Sequence, residues 1–210
     1  MSFNDILRKP FRYSYNNVTM ILIIINVIIF IFTLTIPNQI IYYLGLFSPL
    51  VFQKGFIWQI VTYMFVHSPS GFAHILFNML ALFLFGSLLE RRLGSKEYLL
   101  FYLVSGTLTG ILSLFLNMNV IGASGAIFAV LLASATFFPE QRVLLFFVLP
   151  VKAPVAVIIF TGLSLVFLFT DRYTNIAHFA HLGGLVFGYL YLLIRFRINS
   201  IKVFIDSLKR

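Results

Sequence analysis

At 210 residues, 60% hydrophobic, 18% aromatic and 10% charged, with a mean hydropathy of +1.01, the chain is too apolar for a water-soluble domain, where about 25% of residues carry charge. It reads as an integral membrane protein. The absence of cysteine excludes disulfides, thiolate nucleophiles and thiolate metal sites together. A formal charge of +9 would suggest nucleic acid as the partner of a soluble domain, but here it can equally reflect topology and anionic lipid.

In chain order, residues 1–17 form a polar tail with Arg8, Lys9 and Arg12, and the first apolar span is predicted at Val18–Ile36. That length suits a ~30 Å hydrocarbon core at ~1.5 Å per residue. No A-x-A-like cleavage site follows, so it reads as an uncleaved anchor, and Asn26 inside it reads as interhelical glue. From Pro37 to Gly71 an apolar connection is broken by Pro49, Gly55 and Pro69 and studded with Tyr42, Tyr43, Trp58 and Tyr63. It is expected to be a membrane-embedded outer loop with short helices, its aromatic side chains at the interface. His67 within it reads as a polar surface residue.

The second span, Phe72–Leu89, carries His74 and Asn78 one turn apart on one face. It ends in Glu90, Arg91, Arg92 and Gly94, read as anchoring charges and a glycine stop. Ser95 is placed as a cap for the third span, Tyr98–Leu116. A fourth, Ser124–Phe138, ends at Pro139 after ~22 Å of helix, against ~30 Å of hydrocarbon. The fifth is predicted at Pro154–Thr170, with Asp171–Asn175 as an outer loop, and the sixth at Ile176–Ile194. Residues 195–210 form a basic tail whose Ile198, Ile201, Ile205 and Leu208 make a weak amphipathic pattern suited to the inner leaflet. The domain reading is thus a 1–17 tail, an 18–194 six-span body and a 195–210 tail.

Six spans put both termini on one side. The tails and the connections after spans two and four hold 13 of the 15 Lys and Arg residues, leaving Lys54 and Arg172 opposite. The basic charge is therefore topology, with both termini cytoplasmic, and the nucleic-acid reading loses its support. The expected location is the cell membrane.

The stretch Ile121–Ala129, IGASGAIFA, sets a hydroxyl at the start of an apolar helix. Gly122 and Gly125 bracket Ser124, allowing a sharp turn and close approach of a ligand. As N-cap or first helical residue, Ser124 lies beside free N–H groups and the positive end of the helix dipole. The same small residues also suit a helix-packing patch, and this stretch alone leaves both readings open. Depth adds to it. Spans two, four and six run inward, and a fourth span reaching the inner surface sinks Ser124 roughly 8 Å below the outer one. His181 lies ~7–8 Å along the sixth span and Asn78 ~9 Å along the second, so three polar clusters meet at one level. Buried ionisable groups in membranes are functional by default.

With HILFN in span two, GASGA opening span four and AHLGGLVFG in span six, in that order, the chain resembles the rhomboid intramembrane serine proteases over nearly its whole length. The resemblance implies an all-α membrane protein, a six-transmembrane-helix rhomboid-like bundle with an embedded first outer loop. It puts Ser124 on the nucleophile, His181 on the general base, and His74 and Asn78 on the oxyanion-stabilising pair. It further implies membrane-protein substrates cut in or beside a transmembrane segment, after a small residue and near helix-weakening ones. Two departures stand out: Trp58-Gln59 where the family often has Trp-Arg, and Phe128 where it often has tyrosine one turn after the serine, which keeps an aromatic face for His181 but loses a hydroxyl.

The chemistry can also be argued by elimination. All six acidic residues lie outside or at the ends of the spans, which excludes an intramembrane aspartyl protease. His178-Phe-Ala-His181 lacks the glutamate of the H-E-x-x-H zinc signature, so neither metal nor cofactor is expected. A Ser124–His181 dyad remains, the oxyanion held by His74, Asn78 and the Ser124 backbone N–H. Between His178 and His181 the choice rests on Gly184 and Gly188, which share the face of His181 and let it close on span four; His178 is expected to meet water or the loop after span five. A non-catalytic rhomboid-like protein that binds membrane clients is the rival reading, but its signature, loss of the serine or histidine, is absent. A transporter would show a repeat relating two halves of the chain, and none is visible.

Overall fold

The computed structural model describes residues 10–145, 148–170 and 175–210, with the side chains of 175–177 excepted. Its long apolar helices are α1 (Val18–Thr35), α5 (Phe72–Leu93), α6 (Ser95–Phe115), α8 (Ala153–Thr170) and α9 (Asn175–Tyr191, continued to Phe196 by a π-helical turn). Five described helices are long and apolar enough to cross a membrane. A shorter one, α7 (Ser124–Phe137), has 14 residues, 11 of them buried, so it is walled by protein and not by lipid. The chain is an all-α membrane bundle built around this short central helix. Small residues permit that centrality: Ala126, Ala129 and Ala133 have no exposed surface, letting neighbouring helices approach closely.

Four hydroxyls inside the bundle bond within their own helices. Thr33, Thr109, Ser113 and Thr136 each donate to the carbonyl four residues back, at 2.7 to 2.9 Å, as required where no bulk water competes. Asn26 does the same, its Nδ2 donating to Leu22 O at 2.8 Å, so the interhelical bond expected of its amide is not what it makes.

Between α1 and α5 lie α2 (Pro37–Leu44), α3 (Ser48–Lys54) and α4 (Gln59–Thr62), followed by a 3-10 turn at Tyr63–Phe65. Gln59, fully buried, holds this connection together: its Oε1 accepts from Phe47 N at 3.1 Å and its Nε2 donates to Tyr42 O at 2.8 Å. A neutral amide that both donates and accepts suits this dry position. Leu46 and Val120 pair as an isolated antiparallel bridge, tying the connection to the segment ahead of α7.

At the opposite end, Glu90 corrects the anchoring assignment. It is fully buried, and its carboxylate accepts from Val18 N at 2.6 Å, Thr19 N at 2.9 Å and Thr19 Oγ1 at 2.7 Å, so it caps α1 from another helix. Ser95, placed as a cap for α6, makes no cap bond there; its hydroxyl donates to Glu90 and accepts from Asn16 N at 2.7 Å. Glu97, also buried, pairs with Arg195 at 2.8 Å and accepts from Tyr191 Oη at 2.6 Å and Phe11 N at 3.1 Å. The described part of the N-terminal tail is therefore docked on the bundle.

After α7 the structure adds an antiparallel hairpin, β1 (Arg142–Leu145) with β2 (Leu149–Lys152), in the register Arg142↔Lys152. The sequence reading places no strands here, and the hairpin is a short addition to the all-α bundle. The basic tail forms α10 (Ser200–Leu208), which buries Phe204 and leaves Ile201, Ile205 and Leu208 exposed. Lys152 Nζ meets Glu140 at 2.9 Å and donates to Ser207 O at 2.8 Å, fastening hairpin to tail. Asp171–Thr174 of the expected outer loop lie outside the described residues.

Candidate active site

Ser124 is the first residue of α7, with Ala123 as its N-cap, so its hydroxyl sits where the helix leaves its N–H groups unpaired. Gly122 has φ +115°, in the region that favours glycine, and its N–H donates to Tyr63 O at 2.9 Å. A Cβ on Gly122 would stand 3.1 Å from both Cε1 and Nε2 of His74. The His74 imidazole is therefore packed against the turn that presents the serine. Asn78, one turn further along α5, is buried, and its Nδ2 has no hydrogen-bond partner among the described residues. An unpaired buried donor is costly, which marks Asn78 as a group with capacity for a ligand oxygen.

α9 closes on α7 through its glycines. A Cβ on Gly184 would fall 1.9 Å from Gly125 O, and one on Gly188 2.9 Å from Cα of Ala129. With the backbones in contact, the His181 ring stacks on Phe128, centroids 4.2 Å apart and planes 6° from parallel. Phe128 lies one turn beyond Ser124 on the same helical face, so the stack holds His181 against the side of α7 that carries the serine. His178 stacks on Phe167 of α8 at 5.3 Å and meets the His181 ring edge-on at 5.7 Å. It thus packs on α8 itself, where the sequence reading expects water or the following loop.

His67 differs most from expectation. It is fully buried, because the chain from Tyr63 through Val66 runs inside the core, and its ring lies 5.1 Å from that of His74. Burial, and secondarily His74, hold its pKa below the ordinary histidine value, so it is neutral. Tyr63, expected with the interfacial aromatics, is instead buried: its hydroxyl donates to Gly106 O at 2.7 Å and its carbonyl orients Gly122; like Phe167, it acts through contacts distant in sequence. Among the described residues no group of three or more His, Asp or Glu is placed to hold a metal.

A multi-pass helical membrane protein, with a serine opening a buried helix and histidines drawn in from two flanking ones, is the class that fold and site define. Residues 54–198 match the Rhomboid domain, and the chain belongs to the rhomboid family. It is 27% identical over 197 residues to rhomboid protease GlpG of Haemophilus influenzae, covering 92% of this chain and all of that one. It is 35% identical over 137 residues to rhomboid protease GluP of Bacillus subtilis, but this match spans 65% of the chain and only a quarter (25%) of that protein. The putative rhomboid protease YdcA of Bacillus subtilis is 35% identical over 144 residues, 65% of this chain and 66% of its own length.

Proposed function

We propose that the protein is an intramembrane serine endopeptidase working through a Ser124–His181 dyad. The observation that carries this reading is the parallel stack of His181 on Phe128, one turn from a serine at a helix N-terminus. In this mechanism His181 takes the Ser124 hydroxyl proton as the oxygen attacks the scissile carbonyl. The tetrahedral oxyanion is held by the Ser124 backbone N–H, His74 and Asn78. The protonated imidazole then returns the proton to the leaving amine. Water, deprotonated by the same imidazole, hydrolyses the acyl-enzyme and regenerates the serine. Gly122 and Gly125 shape the turn, Phe128 orients the base, and Gly184 and Gly188 hold the two helices at contact distance.

The substrates are membrane proteins, single-span or multi-span, cut in or beside a transmembrane segment after a small residue. The surrounding lipid bilayer is the other partner. Because hydrolysis consumes water, the site opens to the outer side of the cell membrane, with both termini cytoplasmic, in keeping with the charge distribution. Neither metal nor cofactor takes part, and nucleic acid is not a partner.

The test is to reconstitute the protein with a panel of single-span substrates, map any cut, and label it with a fluorophosphonate. Wild type is expected to cleave and to label; Ser124→Ala is expected to do neither while keeping its thermal unfolding midpoint. Cleavage by folded Ser124→Ala refutes the assignment.

A further inference from the structure

We propose that His178 and His181 form a reversible inhibitory site for a zinc-type divalent cation, a reading that rests on His181 being the base. The two rings sit three residues apart on one face of α9, edge-on with centroids 5.7 Å apart and planes 83° from parallel. A nitrogen lies about 1.15 Å from the centre of an imidazole ring and Zn–N bonds are ~2.0–2.1 Å, so two imidazoles sharing a tetrahedral cation have centroids about 5.2 Å apart. The observed separation is within reach of that by a small change in side-chain torsion. Both are half-buried as whole residues with their Nδ1 atoms buried, so a small cation would enter from the Nε2 side.

The donor set fixes the kind of site. Imidazole suits Zn, Cu and Ni, and excludes Mg and Ca, which prefer oxygen. Among the described residues no third acidic or imidazole ligand joins the pair, and in this proposal water completes the coordination. A two-ligand site of this sort binds reversibly and does not hold a resident structural metal, which takes four protein ligands. Inhibition follows whichever nitrogen of His181 is used. Metal on the nitrogen that faces Ser124 occupies the lone pair that would take the proton. Metal on the other nitrogen leaves the proton on the one facing Ser124, which then cannot accept another. The other two histidines do not compete: His67 is fully buried, and the His74 ring is pressed against Gly122.

The test uses full-length protein without an oligohistidine tag, in detergent, and titrates Zn2+ while recording both the heat of binding and cleavage of a single-span reporter. One site is expected, with cleavage falling to about a tenth when free zinc stands tenfold above its Kd and recovering on addition of EDTA. His178→Ala and His178→Asn, two variants so that one folded protein suffices, are expected to keep a substantial fraction of basal cleavage, lose the heat, and need at least ~10-fold more zinc for the same fractional inhibition. No binding to wild type, or equal inhibition of wild type and both variants, overturns the proposal. Should zinc bind wild type and be lost in His178→Ala and in His181→Ala while no preparation cleaves any substrate, the metal site stands and the protease reading falls.

Discussion

Replacing Gly184 by alanine probes whether the site depends on backbone contact between α7 and α9. The added Cβ would lie 1.9 Å from Gly125 O and 2.7 Å from Gly125 C, about 1.5 Å short of an ordinary van der Waals separation. The obstructing atoms are backbone, in the residue next to Ser124, so no rotamer change relieves the clash and one helix must move. His181 lies three residues before Gly184 on the same face and moves with α9. A misplacement of about 1 Å at reacting groups costs ~100-fold in rate, and overpacking of this kind costs ~1–3 kcal/mol of stability. The expected result for Gly184→Ala is a kcat reduced by about two orders of magnitude, a smaller change in KM, and a lowered unfolding midpoint in detergent. Gly162→Ala is the control, since nothing lies within 4 Å of its added methyl and alanine favours a helix. A Gly184→Ala protein with wild-type kcat would mean that α9 can back away without disturbing the chemistry, and that the glycine contact does not position the base.

His74→Ala and Asn78→Ala should each lower kcat by roughly 100-fold, about 3 kcal/mol of barrier, with little change in KM, because oxyanion donors act in the transition state; steady-state kinetics on one reporter decide this. His181→Ala should abolish cleavage while His178→Ala keeps a substantial fraction, and the reverse pattern in folded proteins would place the base one turn further out. Glu90→Ala leaves Val18 N, Thr19 N, Thr19 Oγ1 and Ser95 Oγ without their common acceptor, and should cost ~3 kcal/mol or more, read as a drop in thermal midpoint; an unchanged midpoint would show that these donors find other partners.

The long helices are legible because uninterrupted apolar runs of about 18 residues or more have few alternatives in a bilayer. Other features depend on partners far along the chain. Glu90 looks like an interfacial charge beside Arg91 and Arg92, and only the folded chain brings Val18 and Thr19 to its carboxylate. His67 looks like a loop residue because nothing near it in sequence says that Tyr63–Val66 passes through the core. The hairpin hides within an apolar run in which Pro150 reads as a break; it pairs with Leu144 across the strands. At the candidate site the sequence supplies residue types and depth through helical periodicity. Which face meets which is another matter: the glycine spacing on α9 points to α7, but the Phe128–His181 stack and the seating of His178 on Phe167 are tertiary.

The enclosure of α7 has a consequence for how the bilayer can influence this protein. Hydrophobic mismatch acts on surfaces that lipid touches, and with 11 of its 14 residues buried α7 offers lipid almost none. A thicker or thinner membrane can tilt the outer helices, while the level at which α7 begins is set by its contacts with α6 and α9. On the proposed protease reading, the position of Ser124 is then a datum carried by the protein, whereas a transmembrane substrate takes its level from the lipid. Membrane thickness would therefore alter which residue of a substrate comes into register with the serine, leaving the arrangement around the hydroxyl unchanged.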